Sequence, residues 1–323
     1  MTVKQLTALF KNMKSLIGAI IVYNTTFTNL SFLSGLESIE CSRLGMSISF
    51  NDHLSELGLT NLVSASCSIR IEYNRVMKKL NFPNLKSLDP LPYPDRLDAN
   101  STGTTFIDIS TKSPDFCIST DEMRLLMRTE TIRIGRLAGK YCEPTFTETL
   151  CKKPAAGCVE LIGDVELGAE FLRETMSNVE GIYGSLVING TNITDFGFLK
   201  NLKYVVNLEG QYKTCSKINQ AVPEKLAIAV ENNLNLIDIK FPSLKIMHSS
   251  SVDPIAFKNN NKALLEDPSH CYGIRESFGL IDWAPLFDDL ICEDIEENSP
   301  VTKESTAIYA SMIMFSSIVI FSI

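Results

Sequence analysis

Catalysis by side chains needs a nucleophile, a base within reach of it and a group that holds the developing charge. The three histidines, His53, His248 and His270, accompany no Ser or Cys nucleophile motif, so acyl transfer has no support. Neither G-x-G-x-x-G nor G-x-x-x-x-G-K-[ST] occurs, so no glycine-rich loop is set to cradle phosphate. Paired carboxylates along a groove can hydrolyse glycosides, and Asp108, Glu231 and Asp238 are acids in or beside β-rich runs. Scattered as they are, they read as solvated acids on solvent-facing or corner positions. The chain therefore reads as a non-enzyme, and no cofactor or metal is expected.

The cysteines carry the chemistry that remains. There are nine, Cys41, Cys67, Cys117, Cys142, Cys151, Cys158, Cys215, Cys271 and Cys292, and none forms a C-x-x-C pair. Zinc would want thiolates or imidazoles at short paired spacings, so disulfides are the expected use, with nine buried cytosolic thiols as the alternative. The odd count leaves at least one unpaired. Asn24, Asn29, Asn100, Asn189 and Asn192 each open an N-x-S/T sequon, which favours an oxidising, secreted setting and makes them candidate glycosylation sites. A net charge of −8 argues against nucleic acid, whose phosphates need a basic surface.

An internal repeat positions these residues. Residues 17–39, IGAIIVYNTTFTNLSFLSGLESI, align without a gap on residues 183–205, YGSLVINGTNITDFGFLKNLKYV. Gly18 falls on Gly184, Thr25 on Thr191, Thr28 on Thr194, Phe32 on Phe198, Leu33 on Leu199 and Leu36 on Leu202. A second match sets IRIEYNRVMKKLNFPNLKSL (69–88) against IAVENNLNLIDIKFPSLKIM (228–247). The interval between the matches differs in the two copies, as a loop deletion on one turn would make it. Two copies of one domain follow.

Within each copy, short β-rich runs end at Gly, Asn or Pro corners: GAIIVYN, GMSISFN, CSIRIEYN and TFIDIS, then VELIGDVEL, GSLVING, KLAIAVEN and PIAFKNN. That spacing is the period of a solenoid. Period-2 alternation turns Ile20, Val22, Leu186 and Ile188 inward and Ile21, Tyr23, Val187 and Asn189 outward. The sequons at Asn24, Asn29, Asn189 and Asn192 then share one corner, leaving open a strand face that bears Arg70 and Glu72 in one copy and Ala229 and Glu231 in the other. Tyr23, Arg70, Glu72 and Glu231 are the candidate ligand face, since extended faces are how solenoids bind and aromatic residues dominate hot spots.

The remaining segments set the domain limits. Residues 129–157 read as a cysteine-stapled linker; Cys142 with Cys158 is one pairing it would allow, and spacing leaves the connectivity open. Residues 284–304, with Asp288, Asp289, Glu293, Asp294, Glu296 and Glu297, read as a solvated acidic stalk. The last residues, 305–323, are uncharged from Thr306 onward; as a helix they would span about 27 Å, just enough for a bilayer core. A transmembrane helix and a cleaved glycolipid-anchor signal, attached at Asn298 or Ser299, both fit this ending. Met1 opens onto MTVKQLTALFKNMKSL, an amphipathic helix and no signal peptide. The second copy has a full turn, CVELIGDVELGAEFL, whose counterpart in the first would lie before Met1, so the chain reads as missing its signal and most of one turn.

The pattern G-x-L-x-I-x-G-T-x-I-x-x-F-x-F-L-x-x-L runs from Gly184 to Leu202. The same copy opens with Cys158-Val-Glu-Leu-Ile-Gly-Asp and closes with Cys271-Tyr272 and then Leu280-Ile281-Asp282-Trp283. These residues resemble the receptor L-domain of insulin and epidermal-growth-factor receptors, and the arrangement is similar to the kinase-less nematode proteins with tandem L-domains. The resemblance implies an α/β solenoid of two right-handed β-helix-like, leucine-rich-like L-domains, residues 1–128 (truncated) and 158–283, followed by the C-terminal membrane segment. It implies a binding protein at the cell membrane, facing outward: a decoy or co-receptor for a secreted insulin- or EGF-like peptide. A cell-surface adhesion or structural protein is the alternative, and a carbohydrate-active β-helix enzyme a distant one.

Overall fold

The structure, a computed structural model, describes residues 2–41, 45–88, 105–128, 132–208, 225–249, 251, 253–278 and 285–300. The chain divides into two units with the boundary between Thr145 and Phe146. In the first, five parallel strands stand side by side in chain order: β1 (Ile20–Tyr23), β2 (Met46–Ser49), β3 (Ile69–Glu72), β4 (Thr105–Ser110) and β5 (Ile132–Ala138). Tyr23, Ser49, Glu72 and Ser110 form one row across the sheet, and Ile21, Ser47, Arg70 and Asp108 the next. A shorter parallel sheet joins Ser15–Ile17, Ser38–Glu40 and Ser64–Ser66.

The second unit repeats the plan. Its sheet is β6 (Val165–Leu167), β7 (Leu186–Asn189), β8 (Ile228–Glu231), β9 (Ile255–Lys258) and β10 (Leu286–Phe287), again parallel and in chain order. Its companion sheet orders Leu150–Cys151, Glu160–Ile162, Gly181–Tyr183, Tyr204–Val206 and Ile246–His248.

The alternation read from the sequence is the alternation of the fold. β1 buries Ile20 and Val22 and exposes Ile21 and Tyr23, and β7 buries Leu186 and Ile188. Phe196, Leu199 and Leu202 of the repeated phrase are all but sealed from water, as are Leu30 and Leu36 in the other copy. Burial of a side chain of that size stabilises by about 1.5–3 kcal/mol, so this phrase is chiefly a core signature. The glycine that opens it has a steric cause. Gly184 sits at φ +157, and a Cβ there would stand 2.2 Å from the carbonyl oxygen of Gly163.

Four disulfides form: Cys41–Cys67, Cys117–Cys142, Cys151–Cys158 and Cys271–Cys292. The pairing of Cys142 with Cys158 does not occur. Strand pairing brings the partners near each other. Cys117–Ile118 pairs in parallel with Lys140–Tyr141, and Cys142, the residue after that pairing, has its Cα 4.9 Å from that of Cys117. Glu40 likewise pairs with Ser66, setting Cys41 beside Cys67.

Two segments differ from their reading. Much of 129–157 is sheet: β5 pairs with β4 in the first unit, and Leu150–Cys151 edges the companion sheet of the second. Residues 285–300 are no solvated stalk. β10 extends the sheet beyond β9, and the helix Cys292–Asn298 buries Cys292 and Ile295 at i, i+3 beneath its acidic face. Ser299 is buried, its hydroxyl donating to the Glu266 carbonyl at 2.7 Å, and Asn298 ends the helix. Asn100, Cys215, Trp283 and the tail 305–323 lie outside the described residues. Among those described, no helix is long and apolar enough to cross a membrane. At the other end, Val3–Phe10 is helical as expected, closed by a capping box between Thr2 and Gln5.

Candidate functional site

Each strand of the main sheets hands the chain to a tight corner, and the same bonding recurs there in both units. Asn51 Oδ1 accepts from the amide and hydroxyl of Thr25 at 2.9 and 2.7 Å. Its amide group donates to the carbonyls of Val22 and Ser49 and to Asn74 Oδ1. Asn74 in turn donates to the Ile48 carbonyl. In the second unit Asn233 accepts from Thr191 at 2.9 and 2.6 Å and donates to Ile188, Glu231 and Asn260, which donates to Val230. Asn51, Asn74 and Asn233 are fully buried. Such a ladder satisfies corner amides and carbonyls that no strand can reach. It explains why Thr25 and Thr191 are identical in the two copies. Sequence reading took these asparagines only as turn formers; the signal lay in their recurrence two residues past each run.

The residue just before each ladder position is left-handed. In the second unit it is Gly190, Asn232 or Asn259, at φ +64, +58 and +52. These residue types tolerate that conformation. In the first unit Asn24 is followed on the next turns by Phe50 and Tyr73, at φ +60 and +53. Two bulky side chains therefore occupy positions that the fold fills elsewhere with Gly or Asn. Phe50 is 46% exposed and Tyr73 half-buried, and beside them on the previous turn Tyr23 is 63% exposed. Tyr23 meets Phe50 edge-on at 5.5 Å, and Phe50 stacks on Tyr73 at 4.7 Å, with Lys112 Nζ 6.0 Å from the Tyr73 ring. The result is an aromatic rib along one edge of the sheet face.

Beside the rib the face is charged. Arg70 projects to solvent from β3. Glu72 is half-buried, because Arg136 of β5 reaches across to it and also forks onto both oxygens of Asp108 at 2.7 Å. Asp108 is buried, contrary to its reading as a solvated acid, because the guanidinium replaces its water; its hydrogen bond and charge raise the Arg136 pKa further. Arg136 lay in the segment read as linker, so no strand register connected it to Asp108. Both carboxylates serve one guanidinium, which leaves neither as a free proton donor for glycoside chemistry. Glu231, on β8 between Asn189 and Lys258, is half-buried, and Asp238 is solvated as expected. A second acid is buried: Glu160 accepts from the Tyr183 and Tyr204 hydroxyls at 2.9 and 2.8 Å. Among the described residues no cluster of His, Cys, Asp and Glu is arranged to hold a metal.

Four of the sequons fall on the corners. Asn24 and Asn192 are exposed, and Asn29 and Asn189 half-buried. Asn29 Oδ1 accepts from the Ser31 amide as Asp195 Oδ1 accepts from the Gly197 amide, so the two aligned residues do one job.

The receptor L domain family model matches residues 2–91 and 157–272. Protein irld-34 of Caenorhabditis elegans is 24% identical to this chain over 249 residues, 72% of the chain and 53% of that protein. The chain thus spans about half the length of that relative. Receptor L domains are non-enzymatic ligand-binding domains. With well over half of its residues matched, in two regions that correspond to the two parallel-sheet repeats, the chain belongs to the receptor L-domain family.

Proposed function

We propose that the protein is a non-enzymatic, outward-facing binding protein whose first unit takes its partner on the face of β1–β4. The observation that carries this is the aromatic rib. Holding a bulky residue in the left-handed region costs roughly 1–2 kcal/mol, and Phe50 and Tyr73 are held there half-open to solvent where the other copy has Asn. Strain kept for display is a mark of a binding surface, and aromatic side chains supply large contact area at low entropy cost. Arg70 supplies the charge beside it. Glu72 is withdrawn into the Arg136 pair and acts as support, while Glu231 marks the corresponding face of the second unit.

The partner that fits is a secreted peptide of the insulin or EGF type, with the protein as a kinase-less decoy or co-receptor; a cell-surface protein, bound in adhesion, is the second reading. The stacked turns would form a right-handed β-helix-like solenoid, with glycans at Asn24, Asn29, Asn100, Asn189 and Asn192 and a membrane attachment supplied by 305–323. The four disulfides support an oxidising compartment.

Titration of an insulin-like peptide onto the secreted chain tests this directly. Tyr23→Ser and Arg70→Glu should each weaken binding by tenfold or more, with unfolding midpoints unchanged. Saturable binding that ignores both substitutions would overturn the assignment of the face; absence of peptide binding, with capture of a cell-surface protein through the same residues, selects adhesion.

A further inference from the structure

The corner of the second unit that carries Asn192 is apolar. Leu172, Leu234 and Ile237 are 60%, 70% and 57% exposed, the three most exposed large apolar side chains among the described residues of that unit. Leu172 lies on one turn and Leu234 and Ile237 on the next but one, with the turn of Asn192 between them, and bonds to Asn192 and Thr194 tie the three turns together. Arg173, next to Leu172, donates to the Asn192 carbonyl at 3.1 Å. Asn235, next to Leu234, donates to Asn192 Oδ1. The Ile237 amide donates to the carbonyl of Thr194, the sequon threonine, at 3.0 Å. Asn192 itself is exposed, and its amide nitrogen makes no bond among the described residues.

The other described sequons have reasons to exist without a sugar. Asn24 occupies a left-handed corner, where the second copy has Gly190. Asn29 accepts from an amide as Asp195 does. The sequon of Asn189 is completed by Thr191, whose hydroxyl the buried ladder needs. Asn192 and Thr194 differ: Asn192 aligns with Thr26, its side chain takes part only through Oδ1, which leaves the amide nitrogen to solvent, and the Thr194 hydroxyl bonds the adjacent Asp195. A patch of exposed leucine and isoleucine side chains around a sequon with its amide nitrogen left to solvent calls for an amphipathic cover.

We infer that Asn192 carries an N-linked glycan whose first sugars lie over Leu172, Leu234 and Ile237. The sugar rings and N-acetyl methyls present apolar C–H faces to those side chains and hydroxyls to water, so the glycan is the shield of this corner and no partner docks there. The inference rests on the outward-facing reading of the protein.

The test uses the full chain produced behind a cleavable secretion signal in animal cells, with site occupancy read by mass spectrometry. Thr194→Ala removes the sequon and keeps Asn192 and its bonds; Thr194→Ser keeps both. Asn192 should be occupied, Thr194→Ala should raise apolar-dye fluorescence severalfold and promote association, and Thr194→Ser should do neither. Adding Leu234→Ser and Ile237→Ser to Thr194→Ala should return the dye signal to the starting level. Secreted, disulfide-bonded protein with a bare Asn192, or an occupied Asn192 whose loss leaves dye binding unchanged, overturns this inference alone. Protein that is never secreted and keeps nearly all its thiols free overturns the outward-facing reading as well.

Discussion

Phe50 and Tyr73 sit where the backbone favours Gly or Asn, and that exchange can be made in the laboratory. Phe50→Asn with Tyr73→Asn relieves about 1 kcal/mol of left-handed strain at each position. It also removes two aromatic pairs, the Phe50–Tyr73 stack and the Tyr23–Phe50 edge contact, each worth about 0.5–1.5 kcal/mol. The double variant should therefore stay within about 1 kcal/mol of the parent in denaturant unfolding while losing partner binding; a loss above about 2 kcal/mol would make the rib structural. The ladder asparagines behave in the opposite way. Asn233→Ala strips the Thr191 amide and hydroxyl and the Ile188 carbonyl of their partners in a buried corner. Unsatisfied buried groups cost about 1–3 kcal/mol each, so a loss of at least 3 kcal/mol is expected in urea unfolding. Asn232→Ala, one residue away and exposed, tests the left-handed backbone together with a solvent-exposed bond to Asn189 Oδ1 and should cost about 1 kcal/mol.

At the scale of elements, the acidic segment after residue 284 is where charge count misled. A run of carboxylates says that one face is solvated and nothing about the other. Cys292 and Ile295 make that other face apolar, and the bond to Cys271 clamps the helix Cys292–Asn298 to the end of the second unit. Arg275 pairs with Glu293, and the Tyr272 hydroxyl donates to Glu296, a hydrogen bond that holds the proton and pushes the tyrosine pKa up to about 12. Those surface contacts are worth little singly. A disulfide closing a loop of 21 residues stabilises by about 3 kcal/mol. Cys271→Ser with Cys292→Ser should therefore lower the midpoint by that amount and expose the segment to proteolysis. If the bond were dispensable and the segment a stalk, cleavage near residue 290 would proceed equally fast in both proteins.

For the molecule as a whole, one buried base contributes to the response to acid. His248 lies in the companion sheet of the second unit, and burial lowers its pKa to about 4 from an ordinary 6.5. The unfolded chain binds the proton first, so the native state is unaffected above pH 6.5. It loses stability as pH falls from 6.5 towards 4, by up to ~3 kcal/mol. His248→Met should flatten that part of the stability profile relative to the parent, a comparison that cancels the common carboxylate contribution. Parallel slopes in the two proteins between pH 6.5 and 4 would show that His248 is already charged in the fold.

What the sequence by itself determined was whatever repeats locally. The duplicated phrase, the inward and outward alternation and the opening glycines are written in neighbouring residues, because strand period and left-handed backbone act over a few positions. Those features named the family and both repeats, which the match over residues 2–91 and 157–272 bears out. Tertiary structure alone decided which distant groups meet. Cys117 finds Cys142, Arg136 finds Asp108 and Glu72, Thr25 finds Asn51, and the amphipathic helix Cys292–Asn298 is bonded back to Cys271. The meeting of Arg136 with Asp108 and Glu72 is fixed by the register of parallel strands joined through long connections, and the others by which turns and helices pack side by side. Register is set by the packing of the whole core, which no local pattern records.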